Sequence, residues 1–258
     1  MKLNHIYQGD CVDVMRTFPE GVIDLTVTSP PYDNLRTYKG YDFNFEEIAK
    51  ELYRVTKDGG VVVWVVGDAT VKGSETGTSF RQALYFKEIG FNLHDTMIYR
   101  KNNGQSGSNL CYKQIFEYMF VFSKGKPSRI NLIKDKRNKR AGETRKITKR
   151  KPDGSFKTEQ FQVREFSKRE NIWEIDCGYM RSTKDKLAYE HPAIFPEALA
   201  EGHILTWSNE GDIILDPMCG SGTTCKMAKL NRRNYIGIDI AEEYVEMARR
   251  RVEGVSEE

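Results

Sequence analysis

The 258-residue chain is 39% apolar and 30% charged, with a mean hydropathy of −0.61; these values suit a folded globular protein with a sizeable core and argue against a membrane protein. Its longest purely apolar run, VVVWVV at 61 to 66, has the length of a buried strand, and the first residues form no apolar signal region, so the expected location is the cytoplasm, with no membrane contact. The net charge of +3 hides an asymmetry: residues 123 to 170 hold 17 Lys or Arg against six Asp or Glu, a local +11, which leaves −8 for the rest.

The elements are expected in this order. IYQGD (6 to 10) reads as a short strand ending at an acid, and VDVMRTF as a short helix. VIDLTVT (22 to 28) alternates Ile23, Leu25 and Val27 with polar partners, the pattern of a strand. FNFEEIAKELYRVT (43 to 56) spaces Phe45, Ile48, Ala49, Leu52 and Val55 as one helix face, and KDGG is expected to stop it. VVVWVV is a fully buried strand.

A helix from Ser79 to Ile89, capped by Thr78 or Ser79 and ended by Gly90, leads to a strand at 91 to 101. After the polar loop NNGQSGSN, QIFEYMFVFSKG reads as a strand hairpin-paired with it. Residues 124 to 169 lose periodicity and fill with charge, the signature of a surface insertion, partly mobile without a partner. Order resumes near NIWEID. Then follow a helix at 196 to 208 with Pro196 in its first turn, a strand DIILD, a helix SGTTCKMAKL, a strand YIGIDI and a closing amphipathic helix.

Alternating strands and helices with one hairpin imply an α/β fold with a mostly parallel sheet and an antiparallel edge. The chain is expected to form a single domain, 1 to 258, carrying the basic insertion at 123 to 170. The five cysteines are odd in number and show no C-x-x-C pair or histidine at metal spacing, so neither a disulfide framework nor a metal site is expected.

DIILDPMCGSGTTCKMA has the build of a strand, tight turn and helix that binds a ligand. Gly220 and Gly222 let backbone N–H groups approach it, and the helix start attracts an anion, either phosphate or carboxylate. The P-loop pattern is absent, and Cys225 stands where G-x-G-x-x-G needs its third glycine. About twenty residues on, Asp239 ends the next strand, where a carboxylate accepts ribose hydroxyls. Alone, this pair fits NAD, FAD or S-adenosylmethionine. Asp216, just before the loop, would repel a pyrophosphate and attract a cationic ammonium, which favours the last.

TSPPYD (28 to 33) ends the strand at 22 to 28 with two prolines. Together with LDPMCGSGTT it resembles the DNA amino-methyltransferases, which methylate exocyclic nitrogens of cytosine or adenine, in the permuted order with the SPPY motif before the cofactor motif. The resemblance covers most of the chain outside the insertion, including YQGDCVDVM, YRVTKDGGVVVWVVGD, HPAIFPEAL and YIGIDI. It implies a Rossmann-like S-adenosylmethionine-dependent methyltransferase fold with a mostly parallel seven-stranded sheet and an antiparallel edge hairpin.

The resemblance also implies roles. The Ser29 side chain and the Pro30 carbonyl would accept the two N–H groups of a flipped base, Pro31 would stiffen the turn, and Tyr32 would stack on the base. Asp10 would contact the adenine amino group of S-adenosylmethionine, Asp239 its ribose, and Asp216 with Gly220, Ser221, Gly222 and Thr223 its methionine end, with Phe195 lining the pocket. Read from the residues alone, Asp10 also suits a helix N-cap and Phe195 plain core packing. Cys219 and Cys225 are expected as small apolar fillers and His191 as structural.

By the same resemblance, Ser at the first motif position implies cytosine N4, with adenine N6 the alternative. The absence of a Pro-Cys pair argues against ring-carbon methylation. The expected partner is double-stranded DNA, with the insertion as target-recognition region: its basic side chains would position phosphates while Arg, Lys, Asn or Gln read base edges. Phe156, Phe161 and Phe166 are expected as that region's small core. The implied setting is a prokaryotic cell or phage-infected host, with a cognate restriction endonuclease as a further partner and the enzyme a monomer or homodimer.

Overall fold

The structure, a computed structural model, describes residues 1 to 31, 43 to 105 and 112 to 255. Two compact units emerge, Met1–Asn131 with Asn171–Glu258, and Leu132–Glu170.

In the first unit, β1 (His5–Gln8) leads into α1 (Cys11–Arg16), whose N-cap is Asp10: its carboxylate accepts the Val12 and Asp13 N–H groups. β2 (Ile23–Thr28) is buried along nearly its whole length. α2 (Phe45–Val55) buries Ile48, Ala49, Leu52 and Val55, the face its spacing predicts. KDGG does not form a stop. The helix ends at Val55 and β3 (Thr56–Val66) begins at once, with Gly59 at φ +78° inside the strand and its N–H bonded to the Lys124 carbonyl. A side chain there would meet Ser128, so glycine serves a close approach between this strand and the loop at Lys126 and Ser128.

A short hairpin of β4 (Thr70–Val71) and β5 (Ser74–Glu75) precedes α3 (Thr78–Glu88). Neither Thr78 nor Ser79 is its cap. Gly77 holds that position at φ +65°, and Asp68 caps from outside by accepting the Ser79 N–H at 2.9 Å. β6 (Asn92–Gln105) and β7 (Gln114–Ser123) pair as the expected hairpin.

The second unit contains β8 (Lys136–Arg137), β9 (Thr144–Arg150), β10 (Phe156–Gln162) and β11 (Phe166–Ser167), paired as β8 with β11 and β9 with β10. Its phenylalanines do not make a buried core: Phe156, Phe161 and Phe166 are 70%, 46% and 40% exposed.

Back in the first unit, β12 (Ile172–Ile175) pairs parallel with β6. Then come α4 (Glu197–Trp207), β13 (Ile213–Asp216), α5 (Thr223–Leu230), β14 (Asn234–Asp239) and α6 (Glu242–Glu253). The main sheet has order β1-β14-β13-β2-β3-β7-β6-β12. It holds eight strands, one more than expected, because β12 adds to β6. The hairpin is therefore not at the edge, and only β7 runs against the others. The extra strand is anchored by Trp173, which stacks on His203 of α4 and fills the space a Cβ on Gly202 would need.

α1 to α3 share one apolar cluster with the sheet, including Trp64, Phe86 and Phe122. α5 and α6 form another with Ile6 of β1, through Cys225, Val245 and Ala248. The sheet is thus a layer between helices, its connections diverging from β2 toward β3 on one side while β13 lies on the other. In sheets of this kind such a reversal opens a crevice for ligand beyond the carboxyl ends of the strands, here β13 and β2.

Candidate active site

Two sequence segments meet at this crevice. β2 delivers Thr28 and then Ser29, Pro30 and Pro31; β13 delivers Asp216 and the glycine loop. The strands are parallel neighbours, with Leu215 opposite Thr26. Thr28 Oγ1 donates to Asp216 Oδ1 at 2.8 Å, a buried bond that spans 188 positions of sequence. Ser29 is half-buried and Pro30 buried at the turn. Tyr32 lies outside the described residues.

The glycine loop is shaped by close contacts. Gly220 has φ +47° and Gly222 +77°. A Cβ at Gly220 would stand 2.8 Å from His191 Nε2, and one at Gly222 2.6 Å from the Ala248 Cβ. Glycine is thus required for conformation and for space. The His191 ring covers Gly220 and packs on Tyr244 at 4.3 Å, and its Nδ1 lies 2.7 Å from the Ala193 carbonyl oxygen, contacts of the kind a structural residue makes. Cys219 and Cys225 are buried against Gly237, as small fillers would be.

The loop's far side is held by residues that sequence reasoning missed. The Arg251 guanidinium, buried in α6, reaches Ser221 and the Thr223 hydroxyl, and pairs with Asp185 at 2.8 Å and Glu197 at 3.3 Å. Lys226 pairs with Glu197 at 2.8 Å and lies 3.8 Å from Asp185, so two cations and two anions balance. Burial pushes the Asp185 carboxyl up, but the Arg251 hydrogen bond and charge outweigh it and hold it below its ordinary value. The signal was present: Arg251 falls on the apolar stripe of Val245, Ala248 and Val252.

On the crevice side the balance is different. Asp216 accepts from Thr28 and from the Met218 N–H, and burial pushes its carboxyl up to about 6. Asp239 accepts the Gly220 N–H at 2.9 Å and the Ala241 N–H at 2.9 Å, and burial raises it too. Neither has a cationic partner among the described residues. Asp10 joins them through the Gly9 N–H, which donates to the Asp239 carbonyl at 3.0 Å; its Oδ1 is used as the α1 cap. Phe195 is half-buried just before α4.

Two desolvated carboxylates without internal counter-charge suit a ligand with cationic groups and hydroxyls, and disfavour a pyrophosphate. Among the described residues no group of three or more His, Cys, Asp or Glu is placed to hold a metal, and no helix is long and apolar enough to cross a membrane.

Comparison with known proteins agrees with this chemistry. A family model for DNA methylase matches residues 23 to 250. The orphan methyltransferase M.BamHII of Bacillus amyloliquefaciens is 63% identical over 248 residues, 95% of this chain and 90% of that protein. The type II methyltransferase M.BglII of Bacillus subtilis is 26% identical, over 99% of this chain and 71% of its own. Among solved structures, the PvuII DNA methyltransferase (cytosine-N4-specific) superposes with a TM-score of 0.72 at 20% identity, covering 98% of this chain and 88% of that one. The M1.HpyAVI–SAM complex gives 0.66 at 21%, covering 96% and 98%.

The fold and its acidic crevice define an S-adenosylmethionine-dependent methyltransferase. More narrowly, the chain belongs to the DNA amino-methyltransferase family, whose members act on the N4 or N6 exocyclic amines of DNA bases, with the SPPY motif preceding the cofactor loop.

Proposed function

We propose that this DNA methyltransferase modifies the N4 amine of cytosine in double-stranded DNA, using the corner Ser29-Pro30-Pro31-Tyr32. An exocyclic amine is a weak nucleophile because its lone pair is delocalised into the ring. The Ser29 hydroxyl and the Pro30 carbonyl accept its two N–H groups, draw nitrogen toward tetrahedral geometry and free that pair. Pro31 keeps the acceptors at fixed separation and Tyr32 supports the extruded base. S-adenosylmethionine supplies an electrophilic methyl group.

On the cofactor side, Asp216 attends the cationic methionine end together with Gly220, Ser221, Gly222 and Thr223. Asp239 takes the ribose, Asp10 the adenine amine through the oxygen that α1 leaves unused, and Phe195 lines the pocket. Residues 123 to 170 act as the target-recognition insertion. The observation that carries this reading is the Thr28–Asp216 hydrogen bond, since it fastens the residue before Ser29 to the residue that opens the glycine loop. This bond supports an acceptor turn and a cation-binding carboxylate that face one bound ligand pair.

The test is to express the protein in a bacterial host without DNA methylation of its own and identify modified nucleosides by mass spectrometry. 4-Methylcytosine is expected. 6-Methyladenine would transfer the same residues to the other amine, and neither product from a folded protein that binds S-adenosylmethionine would overturn the reading.

A further inference from the structure

Residues 132 to 170 carry 14 Lys or Arg against six Asp or Glu, and their largest element is the ribbon of β9 and β10. The pairing register sorts its side chains. On one face Lys146 stands opposite Gln160, Thr148 opposite Thr158 and Arg150 opposite Phe156, with Gln162 at the end. On the other, Arg145 faces Phe161, Ile147 faces Glu159 and Lys149 faces Lys157.

The two faces differ chemically although both carry cations. The second holds the ribbon's one carboxylate, Glu159, bound by Lys157 at 2.8 Å and Lys149 at 3.1 Å. Those hydrogen bonds hold the Glu159 carboxyl down at about 2, so this face keeps a negative charge and two engaged lysines. The first face has no acid. Its cations have no acidic partner among the described residues, the Thr148 and Thr158 hydroxyls lie 3.0 Å apart across the ribbon, and every residue on it is exposed.

Resting on the reading that this chain modifies duplex DNA, we propose that the acid-free face of this ribbon enters the major groove. There Gln160 and Gln162 read base edges, and Lys146 and Arg150 contact the flanking phosphates. Geometry selects the groove. Two strands about 4.8 Å apart with their side chains fit a groove about 12 Å wide and not one about 6 Å wide. Gln offers paired donor and acceptor groups that match adenine, and the hydroxyls offer shorter contacts. A phosphate or a carbonyl edge meets no carboxylate on this face, whereas the opposite face presents Glu159.

The test uses the full chain and two readouts. The first is the salt dependence of binding to a mixed-sequence duplex; the second is the set of methylated sites in host DNA, found by modification-sensitive sequencing. Lys146→Ala with Arg150→Ala is expected to flatten the log–log salt slope by about 2, while Lys149→Ala with Lys157→Ala changes it by less than 1. Gln160→Ala and Gln162→Ala are expected to relax the methylated motif at one or two positions, with cofactor affinity unchanged.

Equal slopes for the Lys146/Arg150 and Lys149/Lys157 double variants, or an unaltered motif in both glutamine variants, would overturn the assignment. Unchanged S-adenosylmethionine binding together with an unchanged far-ultraviolet circular dichroism spectrum shows that both units of each variant are folded. An absence of methylation already in the wild-type protein would strike the proposed function, so the two failures are distinguishable.

Discussion

Arg251 Nη1 donates to both the carbonyl oxygen of Ser221, at 2.5 Å, and its hydroxyl, at 3.0 Å, so the last turn of α6 grips the glycine loop from behind. The same guanidinium is held by Asp185 and Glu197, which makes it the joint of three segments distant in sequence.

Arg251→Met is expected to strand Asp185 and Glu197 with Lys226 alone and to cost about 3 to 5 kcal/mol of stability. Calorimetry should show the lowered Tm, and titration should show weaker S-adenosylmethionine binding. Arg251→Lys keeps the charge but not the fork, so it should recover much of the stability and less of the affinity. Equal cofactor affinity in all three proteins would separate the grip from cofactor binding.

Asp216 makes a pH prediction of definite sign. Its carboxyl is raised to about 6 in the folded protein, against about 3.9 in an unfolded chain, because burial disfavours the anion. Between these values the folded state binds more protons, so this group lowers stability as pH rises from about 4 to 6, by on the order of 3 kcal/mol in total. Asp216→Asn should therefore raise the Tm of the ligand-free protein at pH 8 while weakening S-adenosylmethionine binding at least tenfold. For the wild-type protein, affinity should fall as pH drops through 6, and a flat profile would remove Asp216 from cofactor binding.

Ser29→Ala should leave cofactor affinity within about twofold and slow single-turnover methyl transfer by about a hundredfold, as loss of one preorganised polar contact typically does. Rapid-quench measurement decides, and unimpaired transfer would exclude Ser29 as an acceptor. Thr28→Val, next to it, should cost about 1 to 2 kcal/mol, since Asp216 loses a buried donor.

Gly222→Ala should destabilise by about 2 kcal/mol or more, because its Cβ would meet both the Ala248 side chain and backbone. Gly73→Ala provides the comparison: φ is +81° there, but nothing lies within 4 Å. Denaturant unfolding of the two variants isolates the crowding contribution from the backbone one.

Sequence pattern located most of the first unit because its strands and helices are amphipathic or wholly apolar, so periodicity reports burial directly. It failed where periodicity carries no such information. The β9–β10 ribbon is exposed on both faces, so nothing in KITKR or FKTEQFQ alternates in polarity, and the segment reads only as a charged, partly mobile surface insertion without assigned strands. At KDGG a local rule for ending helices lost to a tertiary requirement, the approach of Gly59 to Ser128. β12 is four residues long, too short for a pattern, and is fixed by one large ring, Trp173.

The site divides in the same way. SPPY and the glycine loop are contiguous motifs and are legible as such. The hydrogen bond between Thr28 and Asp216 and the grip of Arg251 join residues far apart in the chain, and only folding reveals them.

The second unit is entered and left through stitched backbone. The Asn131 N–H donates to the Thr206 carbonyl at 2.8 Å, and the Asn171 carbonyl accepts the Ile98 N–H at 2.8 Å. His94 on the strand of Ile98 and Trp207 beside Thr206 touch edge to face, with ring centres 5.4 Å apart. Both hems are therefore finished on the parent body, and the 39 residues between them form a compact unit of their own. On the proposal that this unit reads the target, exchanging it for another of different surface chemistry is expected to redirect the enzyme to new addresses in a genome without refitting its engine.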